Sequence, residues 1–360
     1  MSKSLLTIGE DSLISREASV AIKGFLMLLI IFGHVGMLTT KYTTGDTTFF
    51  RDWLYTFHVH VYMILPFIYG YHRRDETNIS INNKVNLNTR LVDAKPFLMD
   101  LRCNLIRIGI PFCWFFAFYS LTYFISGFGD FNPYGVAKAF LYGSQPLLMK
   151  YIGFALLWFL PAMLALTTLK SLWYNSLHQI KAIILCASII FWVFLLFSLV
   201  ERDMLTNNIP FGLAYGLYYL LIGVSTRWVL ENYNIRRLIP WTLLGLLVLS
   251  VCFYYRWQFP LNPYWLICLL MPALVFFALY SIGEELSKFR LLYFLGTYSL
   301  QIYLVHVFVI NVLQIVLLHF THQSILLGIV IYVLALIISA GLSILMMKIP
   351  LVNRIVFPKG

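Results

Sequence analysis

A chain of 360 residues that is 60% hydrophobic and only 11% charged, with a mean hydropathy of +0.81, is too poor in charge to cover a soluble domain. Water-facing proteins carry about 25% charged residues. The net charge of +11 would suit a nucleic-acid partner. The Lys and Arg residues instead stand in short clusters between apolar runs, which is what membrane insertion leaves behind, so nucleic acid is excluded.

In chain order, the first apolar run is Val20 to Leu38. About twenty polar residues precede it and no small-residue cleavage site follows, so it reads as a permanent span and not a signal peptide. A bilayer-crossing helix needs roughly 20 residues. On that measure the spacing predicts ten spans, at 20–39, 52–71, 97–125, 152–169, 180–200, 209–230, 238–255, 261–282, 291–318 and 323–347. The third and ninth are long enough to tilt, break or extend beyond the bilayer. Segment 133–150, with Gly143 and Pro146, reads as a partly buried or re-entrant piece. The loop 72–96 is the one long polar stretch between spans. Cys103, Cys113, Cys186, Cys252 and Cys268 lie in or beside apolar stretches without a CxxC pair, and read as buried small hydrophobes.

Charge tests this topology. With the N-terminus inside, nineteen of the 26 Lys and Arg fall on the cytoplasmic side and six outside, and Lys23 lies within the first span. A threefold bias predicts that both termini are cytoplasmic. The expected fold is therefore an all-α integral membrane bundle of about ten transmembrane helices, forming one domain over 1–360. Its place is the plasma membrane, in a bacterium the inner membrane.

Polar groups inside a bilayer are expensive, so each is a functional hypothesis. All fifteen Asp and Glu fall in loops or at span ends, which leaves acid–base work within the membrane to histidine. His34 sits near the outer end of the first span. His58 and His60 open the second from the same side, and His306 lies past the middle of the ninth. A neutral imidazole bonded to a backbone carbonyl is the plain alternative for each. No metal site is suggested, because these histidines are not paired with carboxylates at ligand spacing.

The run from Ala21-Ile22-Lys23-Gly24 to Ile30-Ile31-Phe32-Gly33-His34 resembles the first-span signature of the acyltransferase-3 family, a basic residue and then a histidine after ten intervening residues. Four further segments resemble that family in the same order. They are Tyr55-Thr56-Phe57-His58-Val59, Arg107-Ile108-Gly109-Ile110-Pro111-Phe112, Leu157-Trp158-Phe159-Leu160-Pro161-Ala162, and Leu295-Gly296-Thr297-Tyr298-Ser299-Leu300 with Ile302-Tyr303-Leu304-Val305-His306. The chain departs from the pattern at His60, where proline is common, and at Pro66 and Tyr69, where the run usually ends in Ser-Gly.

The resemblance implies O-acyl transfer, most simply of acetyl from acetyl-CoA or another acyl-CoA as co-substrate. The acceptor would be a hydroxyl of a cell-surface polysaccharide or a lipid-linked glycan precursor, with other polysaccharide-assembly proteins as partners. No permanently bound cofactor is implied. His34 would be the base, since imidazole titrates near neutral pH, and His58 would orient it or the acceptor. Lys23, Arg102 and Arg107 would anchor the donor. His60, Trp158, Tyr303 and His306 would meet the acceptor or the oxyanion. The competing function is a polysaccharide exporter without acyl transfer, and a third is an assembly subunit of a polysaccharide synthase.

Overall fold

The computed structural model describes residues 13–38, 61–68, 94–127, 132–176, 178–196, 211–254 and 263–358. His58, His60 and Tyr69 lie outside the described residues, as does the loop 72–93. Among the described residues there are helices and no β-strand. They are α1 (Arg16–His34), α2 (61–68), α3 (Ala94–Asn104), a π-helical turn (Leu105–Gly109), α4 (Ile110–Ile125), α5 (Pro133–Tyr142), α6 (Gln145–Ile152), a 3-10 turn (Ala155–Trp158) and α7 (Phe159–Asn175). Then follow α8 (His178–Leu196), α9 (Phe211–Asn232), α10 (Ile235–Tyr254), α11 (Pro263–Ser287), α12 (Arg290–Thr297), α13 (Ser299–Phe320), α14 (Ile325–Lys348) and α15 (Pro350–Ile355).

Six of the described helical stretches are long and apolar enough to cross a bilayer: Arg16–His34, Phe97–Ile125, Ala155–Asn175, Leu270–Ser287, Ser299–Phe320 and Ile325–Lys348. Shorter apolar stretches, Gln179–Val193 and Ile239–Val251, occupy the fifth and seventh expected spans. Helix α9 occupies the sixth, and of the second only 61–68 is described. The chain is thus an all-α, multi-pass membrane protein.

Of the two over-long spans, the third runs on through a local distortion and the ninth breaks. The third carries the π-helical turn at Leu105–Gly109, and the ninth divides at Tyr298 into α12 and α13. Segment 133–150 folds into two helices of 10 and 8 residues, too short to cross. Asn132 caps α5 by accepting from the Gly135 N–H at 2.9 Å, and Pro133 opens it. Gly143 closes α5 with φ 59°, a left-handed cap that suits glycine. The hairpin lies against the bundle: Gly135 meets Tyr151, Gly143 meets Pro161, and Phe140 meets the rings of Phe112 and Phe116.

Helix α1 is the hub, packing against α11, α12, α13 and α14. Ser15 caps it by accepting from the Ala18 N–H at 3.0 Å. Its buried face carries Ile22, Leu26, Met27 and Ile31. At its crossing with α12 two glycines let backbones touch. A Cβ on Gly24 would stand 1.9 Å from the Leu292 carbonyl oxygen, and one on Gly296 would stand 1.8 Å from that of Val20. No other residue fits either place without moving a helix.

Apolar side chains also point away from the bundle, as on α10, where Trp241 is 70% and Leu247 62% exposed. Lipid is the solvent for such a surface. The same fact corrects the reading of the cysteines. Cys113 and Cys186 are exposed and Cys103 is intermediate, because a thiol in a bilayer is as well placed against lipid as against protein.

A second polar group joins α3, α7, α9 and α2. Ser171 donates to the Asp100 carboxylate at 2.6 Å, and Asn175 bonds the Ser171 hydroxyl and carbonyl. Arg227, buried at 7% exposure, bonds Glu231 at 2.7 Å and the Phe67 carbonyl at 3.1 Å, and covers the ring of Tyr174. Lys170 lies within electrostatic reach of Asp100 and Arg227.

Candidate active site

Helix α1 ends at His34, and α13 brings His306 to it. His34 Nδ1 and His306 Nε2 are 2.9 Å apart, with ring centroids at 5.0 Å. The other nitrogen of His306, Nδ1, lies 2.7 Å from the Tyr303 carbonyl and 3.1 Å from that of Ile302. Carbonyls only accept, so Nδ1 of His306 carries the hydrogen. A neutral His306 then presents a lone pair at Nε2, and His34 must donate to it from Nδ1. The chain of bonds leaves the basic lone pair of His34 on Nε2. His306 is fully buried, so nothing from water competes for this assignment.

The walls of the site are aromatic and cross-braced. Tyr303 gives its hydroxyl hydrogen to the Leu156 carbonyl, and its ring lies 4.9 Å from Phe159 and 5.6 Å from His306. Tyr119 of α4 gives its own to the Leu304 carbonyl at 2.7 Å and stacks on Phe154 at 3.7 Å. These two tyrosines tie α13 to α4 and to the 3-10 turn just before His306. Tyr62 of α2 bonds the Ser299 hydroxyl at 3.1 Å and packs edge-on against Phe159. Trp158, 2% exposed, backs Phe159.

Of the residues picked out by sequence, the structure therefore gathers His34, His306, Tyr303 and Trp158. Lys23 stands on the same helix as His34. Eleven residues in one unbroken α-helix are close to three turns, so the two side chains leave the same face about 16 Å apart. Arg102 and Arg107 are exposed on α3 and the π-helical turn and bond to neither histidine. His58 and His60 lie outside the described residues. Sequence reasoning missed Tyr62, Tyr119 and Ser299. Each works through a partner more than 180 positions away, and nothing local signals that.

A partly buried imidazole held in one tautomer by a fully buried one, with its basic nitrogen at the end of a span and a cation on the same helix face, suits proton abstraction from a hydroxyl. No curated protein sequence and no solved structure matches the chain significantly. Residues 20–348, which include both histidines and nearly every helix, match the acyltransferase domain, and the chain belongs to the acyltransferase-3 family of membrane acyltransferases.

Proposed function

We propose that the protein is an O-acetyltransferase of the plasma membrane. It moves acetyl from acetyl-CoA to a hydroxyl of a cell-surface polysaccharide or of its lipid-linked precursor. The observation that carries this reading is the His34–His306 bond, with the second nitrogen of His306 held on backbone carbonyls.

His34 Nε2 takes the proton of the acceptor hydroxyl as its oxygen attacks the thioester carbonyl. The tetrahedral intermediate collapses, the C–S bond breaks, and the thiolate recovers the proton from His34. Products are the acetyl ester and free CoA thiol. His306 is a positioning residue: it holds the His34 ring and stabilises the imidazolium formed in passing. Lys23 draws the phosphates of the donor to the face that carries His34, with Arg107 as a further cation on the path. A pantetheine arm spans a gap of the order of the ~16 Å that separates Lys23 from His34 along the helix. Tyr303 supports the wall, since its hydrogen is given to Leu156.

The test is the ester-linked acetate of surface polysaccharide from cells with the wild type, His34→Ala or no copy. Loss of acetate at normal polymer yield in both deficient strains is the expected result. Unchanged acetate with less polymer outside the cell would overturn it in favour of the exporter.

A further inference from the structure

Away from the histidines, a cavity of about 900 Å³ opens on the side of the bundle. Leu105, Gly109 and Phe112 line it from the π-helical turn and α4, Phe140 from the re-entrant hairpin, Leu164 from α7 and Ile355 from α15. The lining side chains are apolar but for the Cys113 thiol and the Trp114 indole N–H. Leu105, Leu141 and Ile355 at its rim are exposed, so it faces the hydrocarbon of the bilayer. The π-helical turn shapes this wall, and Gly109 contributes no side chain to fill it.

One end of the cavity is basic. Arg102 stands one turn before Leu105, and Arg354 is the neighbour of Ile355. Both are exposed, and among the described residues neither has a carboxylate partner. The nearest acid in the sequence, Asp100, is occupied by Ser171. The charge bias of the loops puts this end at the cytoplasmic face. An apolar slot open to lipid, with exposed arginines close in the chain to its lining residues, matches a molecule with a hydrocarbon chain and a negative head. A neutral lipid would leave the arginines unused, and a protein helix would bring polar backbone ends against an apolar wall.

We propose that the groove holds an acyl chain of an anionic glycerophospholipid of the inner leaflet, with its phosphate on Arg102 and Arg354. Bound there, the lipid fills the space beneath the hairpin whose tip rests on Pro161. Neither His34 nor His306 lines the groove, so the site is separate from the histidine pair. It assigns Arg102 to lipid and not to the acyl donor.

Gly109 supplies the sharpest probe. Its backbone is ordinary helix at φ −67°, ψ −44°, and a Cβ there would meet only Leu105 at 3.6 Å and Leu164 at 4.0 Å. Gly109→Phe therefore plugs the groove without straining the chain. Native mass spectrometry of the full-length protein, titrated with phosphatidylglycerol or phosphatidylcholine of the same chains, reads the outcome. The wild type is expected to retain phosphatidylglycerol in preference, by about fivefold for each arginine, as ~1 kcal/mol per basic residue near a membrane surface implies. Gly109→Phe is expected to lose the bound lipid at an unchanged melting temperature. Arg102→Gln with Arg354→Gln is expected to keep lipid binding and lose the preference for the anion. Equal retention of the two lipids by the wild type would overturn the proposal, as would full retention by a folded Gly109→Phe. If Gly109→Phe does not fold, the double arginine variant decides, and an undiminished preference for phosphatidylglycerol sinks it.

Discussion

Two polar clusters among the described residues, one around Arg227 and one around His34, are built on opposite plans. Around Arg227 opposite charges meet: Arg227 bonds Glu231 and the Phe67 carbonyl, Asp100 is held by Ser171 and Asn175 bonds Ser171, with Lys170 within electrostatic reach of Asp100 and Arg227. Around His34 there is no carboxylate among the described bonding partners, and a neutral pair is wired so that one nitrogen remains basic. The first plan ties helices together through Asp100–Ser171 and Arg227–Phe67. The second uses the His34 Nδ1–His306 Nε2 bond and the carbonyls at His306 Nδ1 to fix the tautomer of both rings. Cost inside the bilayer is common to both, so cost alone does not mark an active site. The direction of the hydrogen bonds does.

The comparison breaks most visibly at His34. His34→Ala removes the base, and general-base catalysis is worth about 10²–10⁴-fold, so acetyl transfer measured on purified protein should fall by that range with the melting temperature nearly unchanged. His306→Leu should cost less, because the base survives without its support. It should lower kcat far more than it raises the KM for the hydroxyl acceptor. An equal loss in KM would assign His306 to acceptor binding instead of positioning. Arg227→Leu should show the reverse behaviour. It strands the Phe67 carbonyl and lowers stability by about 1–3 kcal/mol, while the folded fraction keeps its kcat. A loss of kcat in that fraction would show that the second cluster takes part in chemistry.

Much of the site is legible in the sequence, because its signals are local. The ten-residue gap between Lys23 and His34 is a helical repeat, and α1 is continuous from Arg16 to His34, so the shared face follows from periodicity. The break in the ninth span is one of the outcomes that its length allows. What sequence does not carry is the direction of bonds between distant elements. His306 reads there as a group for acceptor or oxyanion. Only the placement of the Ile302 and Tyr303 carbonyls shows that it is the acceptor in a pair. Arg227 likewise counts as one more cytoplasmic cation, since its partner at Phe67 is 160 positions away. The cysteines fail for another reason: rules of burial learned in water reverse where the solvent is lipid.

Tyr303 gives a smaller effect that separates two roles. As a brace, Tyr303→Phe loses one hydrogen bond to the Leu156 carbonyl, worth about 1 kcal/mol, and keeps the ring against Phe159 and His306. Activity should then drop only a few-fold. An oxyanion donor would cost about 10²–10³-fold on removal, so a loss of that size would move Tyr303 from the wall into the chemistry.

The glycines set the least and the most tolerant points of the scaffold, and they test whether α1 and α12 are locked for the sake of the histidine pair. At Gly296 an added methyl would collide with the Val20 carbonyl oxygen, a backbone atom that cannot rotate away. At Gly341 on α14 the same methyl meets nothing within 4 Å. Gly341→Ala should raise stability slightly, by about 0.5–1 kcal/mol, because alanine loses less backbone freedom than glycine in a helix. Gly296→Ala should lower it by about 1–3 kcal/mol, as forced overpacking does. It should also depress kcat in whatever protein folds, since α12 leads through Tyr298 straight into the helix that carries His306. If Gly296→Ala lost stability and kept its kcat, the crossing would serve the fold alone, and the 2.9 Å bond between the histidines would be held by the two tyrosine braces without it.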